Sequence, residues 1–353
     1  MFLTKLSLRK LRNIEEAHLD LNRKTNVIVG ENAAGKTTVL EGIDILSRGR
    51  SFRTNKIENL VNQGKGGFYI GATIGKVEKK IEIEKEKNKT KILINGKEEK
   101  KQSVIAKELA VQSIHPNSHS LIEGPPSERR SFCDWGLFHV EQDFKRLWSS
   151  YIKILKQRNE ALKTKEFNEN MWVEKLASAG EEISTMREKY VSRLKTKLDE
   201  TGNHIMPNQE LNFVYERGWN EKMSLMEALK EKAQLDSDRG FTSVGPQNAN
   251  IKIMLNGHEA QKVCSRGQQK LIANIMLLSQ SKDFYEKRNF PNIILVDDLS
   301  AELTLEMQEK ILERLFESKS QVFLTALNDS VLADILYEMD TNVFHVEHGE
   351  IAQ

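Results

Sequence analysis

The N-terminal third of the chain is dominated by a regular alternation of apolar and polar side chains. Such alternation predicts strands with one buried face. It occurs at these positions: Leu6 and Leu8, Leu19 and Leu21, Phe68 to Ile74, Ile81 and Ile83, and Ile92 and Ile94. Asn95-Gly96 is typical of a tight hairpin, because both residues accept a positive φ. This part of the chain is therefore predicted to hold antiparallel strands.

Between residues 127 and 206 the apolar spacing changes to three, four or seven, which is typical of helices. The stripe consists of Phe144, Leu147, Trp148, Tyr151, Leu155, Trp172, Leu176, Ile183, Met186, Tyr190, Leu194 and Leu198. Gly124-Pro125-Pro126 interrupts the chain just before it. We predict an antiparallel helical lobe at 127–206, inserted between an N-terminal part of a head domain (1–126) and a C-terminal part (207–353).

Short continuous apolar runs form a third pattern. Val27–Val29, Ile293–Val296 and Val322–Leu324 have no polar alternation, which predicts strands buried on both faces. After the first run, Val39, Leu40, Ile43 and Leu46 follow at helical spacing. The predicted fold class is therefore α/β, with mixed sheets and an inserted helical lobe.

The first buried strand runs into a phosphate-binding motif. The loop fits G-x-x-x-x-G-K-[ST], and the candidate nucleotide-binding residues are Gly30, Glu31, Asn32, Ala33, Ala34, Gly35, Lys36, Thr37 and Thr38. The glycines let successive N–H groups point into one concavity, and the following helix adds its positive dipole end. Lys36 would reach the β- and γ-phosphates and assist catalysis, and Thr37 would ligate Mg²⁺.

The second buried strand ends in two carboxylates. Asp297 is a candidate Mg²⁺ ligand opposite Thr37, and Asp298 is a candidate catalytic base. A strand capped by ordinary turn residues is the alternative, and the phosphate loop makes it the weaker one. Thr325, after the third strand, either senses the γ-phosphate or begins a turn. All eight His are expected to be non-catalytic.

A second candidate phosphate contact lies late in the chain. Ser265, Gly267 and Gln268 precede apolar residues at helical spacing, so they lie at a helix N-terminus, where N–H groups favour an anion. Ser and Gly are also ordinary helix starters, so S-x-G-Q alone is a weak signal. Arg12, between two predicted strands, could approach a nucleotide, although a solvated arginine is commoner.

Composition narrows the class further. The chain has 353 residues, 29% of them charged, with a formal net charge of only +2, so no global basic excess indicates a nucleic acid. Two cysteines far apart in sequence suggest neither a disulfide framework nor a zinc site. Without an apolar leader or a long apolar run, we expect a cytoplasmic protein with no membrane partner.

Taken together, the motifs resemble ABC-type ATPase heads of the SMC and Rad50 kind and, more narrowly, the RecF family. The narrower resemblance covers nearly the whole chain. It depends on Ser51-Phe52-Arg53-Thr54, Pro125-x-x-Glu128-Arg129-Arg130, Val244-Gly245-Pro246, Asn256-Gly257 and Ser265-x-Gly267-Gln268-Gln269-Lys270.

The resemblance implies ATP and Mg²⁺ as cofactors and a weak, DNA-stimulated ATPase. It implies a homodimer formed on ATP, in which Lys36 and Thr37 of one subunit face Ser265 and Gly267 of the other. It further implies DNA as a partner, both duplex and single-strand gaps, together with RecR and RecO, in helping RecA to load. Arg12 would lie near the nucleotide, and Gln112 is the nearest match to the nucleotide-sensing glutamine.

The chain departs from the family pattern at three places where acidic residues are usual. Asn117-Ser118 stands where Glu-Asp is usual, Gln247-Asn248-Ala249-Asn250 where His-Arg-Asp-Asp is usual, and Thr304 where an Asp is usual. These changes affect the expected hydrolysis rate more than ATP binding. Two alternatives therefore stay open: an ATPase subunit of another ABC-type assembly, such as a transporter, and a nucleotide-binding protein with negligible hydrolysis.

Overall fold

The computed structural model describes residues 2–54, 57–62, 66–75, 77–86, 89–164, 169–299, 303–327 and 340–353. By their internal contacts the residues form two compact units. The first contains 1–118 and 284–353, and the second contains 119–283.

The helices and strands follow one another in chain order. They are β1 (Leu3–Leu11), β2 (Ile14–Asp20), β3 (Thr25–Gly30), α1 (Lys36–Arg48), β4 (Gly67–Ile74), β5 (Lys79–Glu86), β6 (Lys89–Ile94), β7 (Lys97–Glu99), α2 (Gln102–Glu108), β8 (Val111–Ile114), α3 (Ser120–Glu123), α4 (Pro126–Val140), α5 (Phe144–Thr164), α6 (Glu169–Ile205), β9 (Leu211–Glu216), α7 (Leu225–Glu231), α8 (Ala233–Arg239), β10 (Asn250–Leu255), β11 (His258–Glu259), α9 (Ala260–Val263), α10 (Arg266–Arg288), β12 (Ile293–Val296), α11 (Leu305–Glu317), β13 (Gln321–Ala326), β14 (Thr341–Glu347) and β15 (Glu350–Ala352). Short 3₁₀ turns occur at Ile57–Leu60, Pro116–His119 and Pro246–Asn248.

The first unit contains an antiparallel sheet of six strands in the order β2-β1-β4-β5-β6-β7. Its alternating apolar residues, such as Leu6, Leu8 and Ile70, are buried against α1 and a second sheet. The predicted hairpin at Asn95-Gly96 is confirmed, with φ of 48° and 76°. One face of this sheet therefore supplies half of the first unit's core.

The second sheet of the first unit is mixed, in the order β15-β14-β3-β13-β12-β8. The strands from β14 to β8 run parallel, and β15 is antiparallel at the edge. The predicted strands at 27–29, 293–296 and 322–324 lie side by side here and are fully buried. Because the carboxyl ends of parallel strands meet at one edge, residues that follow β3, β8, β12 and β13 are brought together.

The second unit is built on α4, α5 and the long α6, with the three-stranded sheet β11-β10-β9 packed against α6. The helical stripe predicted from Phe144 to Leu198 is confirmed by these helices. Two buried guanidinium groups stabilise the unit: Arg158 donates to Asp236 at 2.9 Å, and Arg187 donates to Asp134 at 2.8 Å.

The contact-based division differs from the boundaries expected at 127 and 206. The second unit begins at His119 and continues to Asp283, so the predicted lobe forms only part of it. The physical reason is that β9 pairs with β10 and packs on α6, while Arg193 of α6 holds Asp283 of α10 at 2.8 Å. Among the described residues, no helix has both the length and the apolar composition that crossing a membrane requires.

Candidate nucleotide-binding site

The phosphate loop joins β3 to α1 as the sequence predicts. Ala33 has φ of 65° and Gly35 has φ of 126°, so the backbone turns through conformations that favour glycine. A Cβ at Gly30 would lie 2.3 Å from the carbonyl oxygen of Val346, in the neighbouring β14. Gly30 is therefore required by close backbone approach, and Gly35 by its dihedral angle.

The Lys36 side chain lies back over this loop. Its Nζ donates to the carbonyl oxygens of Gly30 at 2.7 Å and Glu31 at 2.9 Å. Partial burial lowers the pKa of Lys36, and the charges of Asp297 and Asp298 oppose that change. The ammonium group is thus held at the mouth of the loop, where the motif predicts contact with phosphates.

Thr37 and Asp297 form a direct contact. Thr37 Oγ1 donates to Asp297 Oδ1 at 2.9 Å, and Thr325 Oγ1 donates to the same oxygen at 3.0 Å. Burial raises the pKa of Asp297, while both hydroxyls and the charge of Arg53 act in the opposite direction. A hydroxyl and a carboxylate side by side are oxygen donors of the kind that Mg²⁺ prefers.

Asp298 differs from its neighbour in exposure. It adopts φ of 51° and its side chain is exposed, whereas Asp297 is buried. Its backbone N–H donates to Thr325 Oγ1 at 3.0 Å. Thr325 therefore bonds to both members of the pair and fixes the turn that presents Asp298 to solvent.

These side chains surround a cavity of about 810 Å³ in the first unit. Its lining residues are Arg12, Asn13, Asn32, Ala33, Gly35, Lys36, Thr37, Thr38, Phe52, Arg53, His115, Pro116, Asn117, Asp297, Asp298, Thr325, Ala326 and Leu327. Most of the residues proposed from sequence in this unit are thus brought together. Gly30, Glu31 and Ala34 belong to the same loop but are not among the residues that line the cavity.

Asn13 is a site residue that sequence reasoning missed. Its Nδ2 donates to the carbonyl oxygen of Ala34 at 2.8 Å, and its Oδ1 accepts from Thr38 Oγ1 at 3.1 Å. The backbone N–H of Gly349 donates to the same Ala34 carbonyl at 2.9 Å. The phosphate loop is therefore held by residues from both ends of the chain, and a lone Asn in a turn gave no sign of this.

The loop after β8 supplies further lining residues that the sequence did not indicate. The rings of His115 and Phe52 are stacked, with centroids 5.1 Å apart and an angle of 14°. Gln112, the suggested nucleotide sensor, is not among the residues that line this cavity. It is buried near the amino end of β8, and its Oε1 accepts from Asn292 Nδ2 at 3.0 Å.

Ser265, Gly267 and Gln268 lie in the second unit, at the start of α10. The Gln268 backbone N–H donates to Ser265 Oγ at 3.3 Å, and the Ser265 N–H donates to Gln268 Oε1 at 2.9 Å. This reciprocal pair is a capping box. Ser265 is exposed, so the start of this helix is open to a ligand or a second molecule.

Comparisons with known proteins all indicate the same family. The model of the RecF/RecN/SMC N terminal domain matches residues 2–352. A protein of Pseudoalteromonas translucida named DNA replication and repair protein RecF is 36% identical, over 99% of each chain. A protein of the same name from Psychromonas ingrahamii is also 36% identical, over 99% of each chain.

Solved structures agree with these relatives. A structure of the recombination mediator protein RecF-ATP in the RecFOR pathway superposes with a TM-score of 0.86 at 27% identity, covering 99% of this chain and 97% of that one. An Smc head domain from Pyrococcus furiosus superposes with a TM-score of 0.63 at 14% identity, covering 99% and 95%. The second likeness concerns the fold alone.

A mixed sheet whose carboxyl edge carries a phosphate loop and an Asp pair, with a helical insertion between them, defines an ABC-type P-loop ATPase head. The prediction of this fold class is confirmed. Within that class, the match over residues 2–352 and the 36% identity place the chain in the RecF family.

Proposed function

We propose that this protein binds ATP with Mg²⁺ in the 810 Å³ cavity and hydrolyses it slowly. The observation that carries the proposal is the contact between Thr37 and Asp297 at 2.9 Å, which joins the two halves of a P-loop site. The phosphate-loop N–H groups and Lys36 bind the phosphates. Exposed Asp298 orients or deprotonates the attacking water.

The residues around Asp297 fit a magnesium ion. A buried carboxylate whose pKa is raised is stabilised by a nearby cation, and Thr37 supplies a second oxygen donor. Among the described residues, no group of three or more His, Cys, Asp or Glu is arranged for a metal. That composition suits Mg²⁺, which is usually held by few protein ligands together with substrate phosphates and water. When bound, it would neutralise charge on the phosphates.

ATP binding would bring two copies together. In the proposed homodimer, Lys36 and Thr37 of one subunit face Ser265 and Gly267 of the other. Supporting this, Ser265 is exposed and lies directly before α10, at a helix N-terminus, where backbone N–H groups favour an anion. A γ-phosphate from a partner subunit would bind at this helix start, so hydrolysis would weaken the dimer.

The cellular role follows from the family. The relatives are named as DNA replication and repair proteins, and the RecF-ATP structure is described within the RecFOR pathway. We therefore propose that this protein binds duplex DNA and single-strand gaps, and acts with RecR and RecO to help RecA load. It would serve recombinational repair and replication restart in the cytoplasm.

Sedimentation tests the proposed ATP-dependent dimerisation directly. The full chain is analysed without nucleotide, with Mg-ATP and with Mg-ADP, and each sample is repeated with intact and gapped duplex DNA. We expect a dimer only with Mg-ATP, and a larger DNA-bound species under the same condition. A monomer in all samples would contradict the interfacial model, whereas a dimer indifferent to DNA would contradict only the repair role.

A second candidate function is nucleotide binding with negligible hydrolysis. It is favoured by Asn117, which lines the cavity where the family resemblance expects an acidic residue. Thr304, where the family resemblance expects an Asp, lies directly before α11 at its N-cap position. A single-turnover hydrolysis assay with and without duplex DNA separates the two candidate functions. A measurable, DNA-stimulated rate of ATP hydrolysis supports the ATPase that dimerises on ATP.

A further inference from the structure

Helix α1 carries a carboxylate that the phosphate-loop motif does not explain. Glu41 lies in the second turn of this helix and has no exposed surface. An isolated carboxylate in such a place costs several kcal/mol, so it needs a cation or strong donors. An apolar residue would fill the same volume without that cost. The acidic residue is therefore better explained by what it holds than by stability.

Glu41 holds Arg12 at the cavity. Arg12 Nη2 donates to Glu41 Oε1 at 2.7 Å, and Nε lies 2.5 Å from Oε2 in a poorly aligned ionic contact. The Arg12 side chain is 26% exposed and lines the nucleotide cavity. One hydrogen bond and one ionic contact thus hold the guanidinium group of Arg12 against Glu41 at the cavity wall.

The backbone at Arg12 adds to this constraint. Its φ is 50°, a conformation that non-glycine residues rarely adopt, and its N–H donates to the carbonyl of Leu60 at 2.8 Å. Such strain persists only where surrounding contacts over-determine it. The turn between β1 and β2 is thus held in one conformation by both its backbone and the carboxylate of α1.

The same carboxylate reaches a second wall of the cavity. Ser51 Oγ donates to Glu41 Oε1, and Ser51 Oγ in turn accepts from the backbone N–H of Arg53 at 2.9 Å. Phe52 and Arg53 line the cavity on this side. Glu41 therefore links two segments to α1, the helix that begins at the phosphate loop. One is the turn between β1 and β2, and the other is Ser51–Arg53.

From this geometry we infer that Glu41 is a positioning residue for nucleotide binding, acting through Arg12 and the Ser51–Arg53 segment. The inference rests on the proposed ATP-binding function and makes it more specific. It assigns part of the affinity for ATP to the ion pair of Arg12 and buried Glu41, whose described contacts do not include the phosphate-loop backbone.

A double-mutant cycle on the full chain tests the inference. Affinity for a fluorescent ATP analogue, mant-ATP with Mg²⁺, is measured for wild type, Glu41→Gln, Arg12→Gln and the double variant, and each is melted in parallel. We expect each single variant to bind about tenfold more weakly, and the double variant to lie within about twofold of Arg12→Gln, because coupled residues are not additive.

Ser47→Ala is the matched control. Ser47 is buried in the same helix and donates to the carbonyl of Leu109 at 2.8 Å, so its loss lowers stability without touching Arg12. Its mant-ATP affinity should stay within about twofold of wild type, because it shares no partner with the ion pair. A purely structural role for Glu41 predicts that affinity follows melting temperature in both variants.

The outcomes separate the two proposals. If wild type binds no mant-ATP, the proposed function fails and this inference with it. If wild type binds and Glu41→Gln binds equally, or if the two single losses multiply in the double variant, only this inference fails. Should Glu41→Gln not fold, Ser51→Ala decides: it keeps the ion pair but frees the Ser51–Arg53 segment. We expect about threefold weaker binding, since the hydrogen bonds of Ser51 Oγ to Glu41 and from the Arg53 N–H are both lost. Unchanged affinity in Ser51→Ala would then overturn the inference.

Discussion

The phosphate loop and the start of α10 are both built to present N–H groups, yet they are held in opposite ways. The loop depends on residues distant in sequence: Asn13 and Gly349 bond to Ala34, and Asp297 bonds to Thr37. The described hydrogen bonds of Ser265 lie within its own turn, to Gln268 and Gln269. The loop is thus part of a tertiary structure that forms one cavity, whereas the helix start is a local, exposed motif suited to a ligand that a second molecule brings.

Lys36→Met tests the loop side of this contrast most severely. It removes the charge that the motif places on the β- and γ-phosphates, so Mg-ATP binding should weaken by about 100-fold or more, in line with losing a buried charge-assisted contact. Isothermal titration measures it, and ATP-dependent dimerisation should disappear with it. Thermal unfolding without nucleotide serves as the control. A variant that still dimerises on ATP in light scattering would remove Lys36 from the mechanism.

Ser265→Arg tests the helix start. We expect ATP affinity of the monomer to change by less than about twofold, since in the proposed dimer Ser265 meets the nucleotide of the partner subunit and not that of its own. The dimer should nevertheless be lost, because a bulky cation replaces the γ-phosphate contact. Ser265→Ala is the milder control variant at the same position. If Ser265→Arg dimerises normally by light scattering, the two regions do not meet across an interface.

Asn13→Ala sharpens the idea that tertiary contacts shape the loop. It removes one of the two donors to the Ala34 carbonyl and the acceptor for Thr38, at a cost of about 0.5–1.5 kcal/mol for each lost hydrogen bond. We expect a loss of roughly tenfold in ATP affinity, because each 1.4 kcal/mol changes a binding constant tenfold. Titration of ATP with and without Mg²⁺ measures it. Equal affinity in wild type and variant would show that the loop forms without this contact.

The smallest effect concerns pH. Burial raises the pKa of Asp297, so the folded carboxyl holds its proton at higher pH than the unfolded one. The fold is therefore destabilised as pH rises from the ordinary carboxyl pKa towards that raised pKa, and Mg²⁺, which needs the ionised form, offsets the loss. We expect the Mg²⁺-dependent part of ATP binding to fall a few-fold as pH drops into the acid range. Asp297→Asn should abolish this pH dependence. A Mg²⁺ effect that is flat with pH in wild type would contradict the assignment.

Local patterns predicted the parts of the site that one stretch of chain determines. The phosphate loop, the hairpin at Asn95-Gly96, the buried strand before Asp297 and the helix after Ser265 all depend on neighbours within a few residues, and each was found where it was predicted. The two-unit division was harder to predict, because β9 and β10 join the helices through tertiary pairing.

What sequence could not show is which distant residues converge. Asn13, Glu41 and His115 carry no motif, and each acquires its role only when separate strands and loops meet at the carboxyl edge of the second sheet. Gln112 illustrates the converse, since a plausible residue type in a nearby stretch lies inside a strand and bonds to Asn292. Whether a residue reaches the site depends on how the ends of neighbouring strands line up in the sheet, and the periodicity of the sequence does not reveal this.

The hydrogen bond from Gly349 to Ala34 has a consequence for how the protein matures during synthesis. The ribosome makes the phosphate loop early, but Asp297, Thr325 and Gly349, which fix its shape, emerge roughly 260 to 320 residues later, or about 15 to 60 s at common elongation rates. A nascent chain should therefore be unable to hold nucleotide until Gly349 has been synthesised. Quality control of this protein can thus operate on the growing polypeptide before ATP stabilises it.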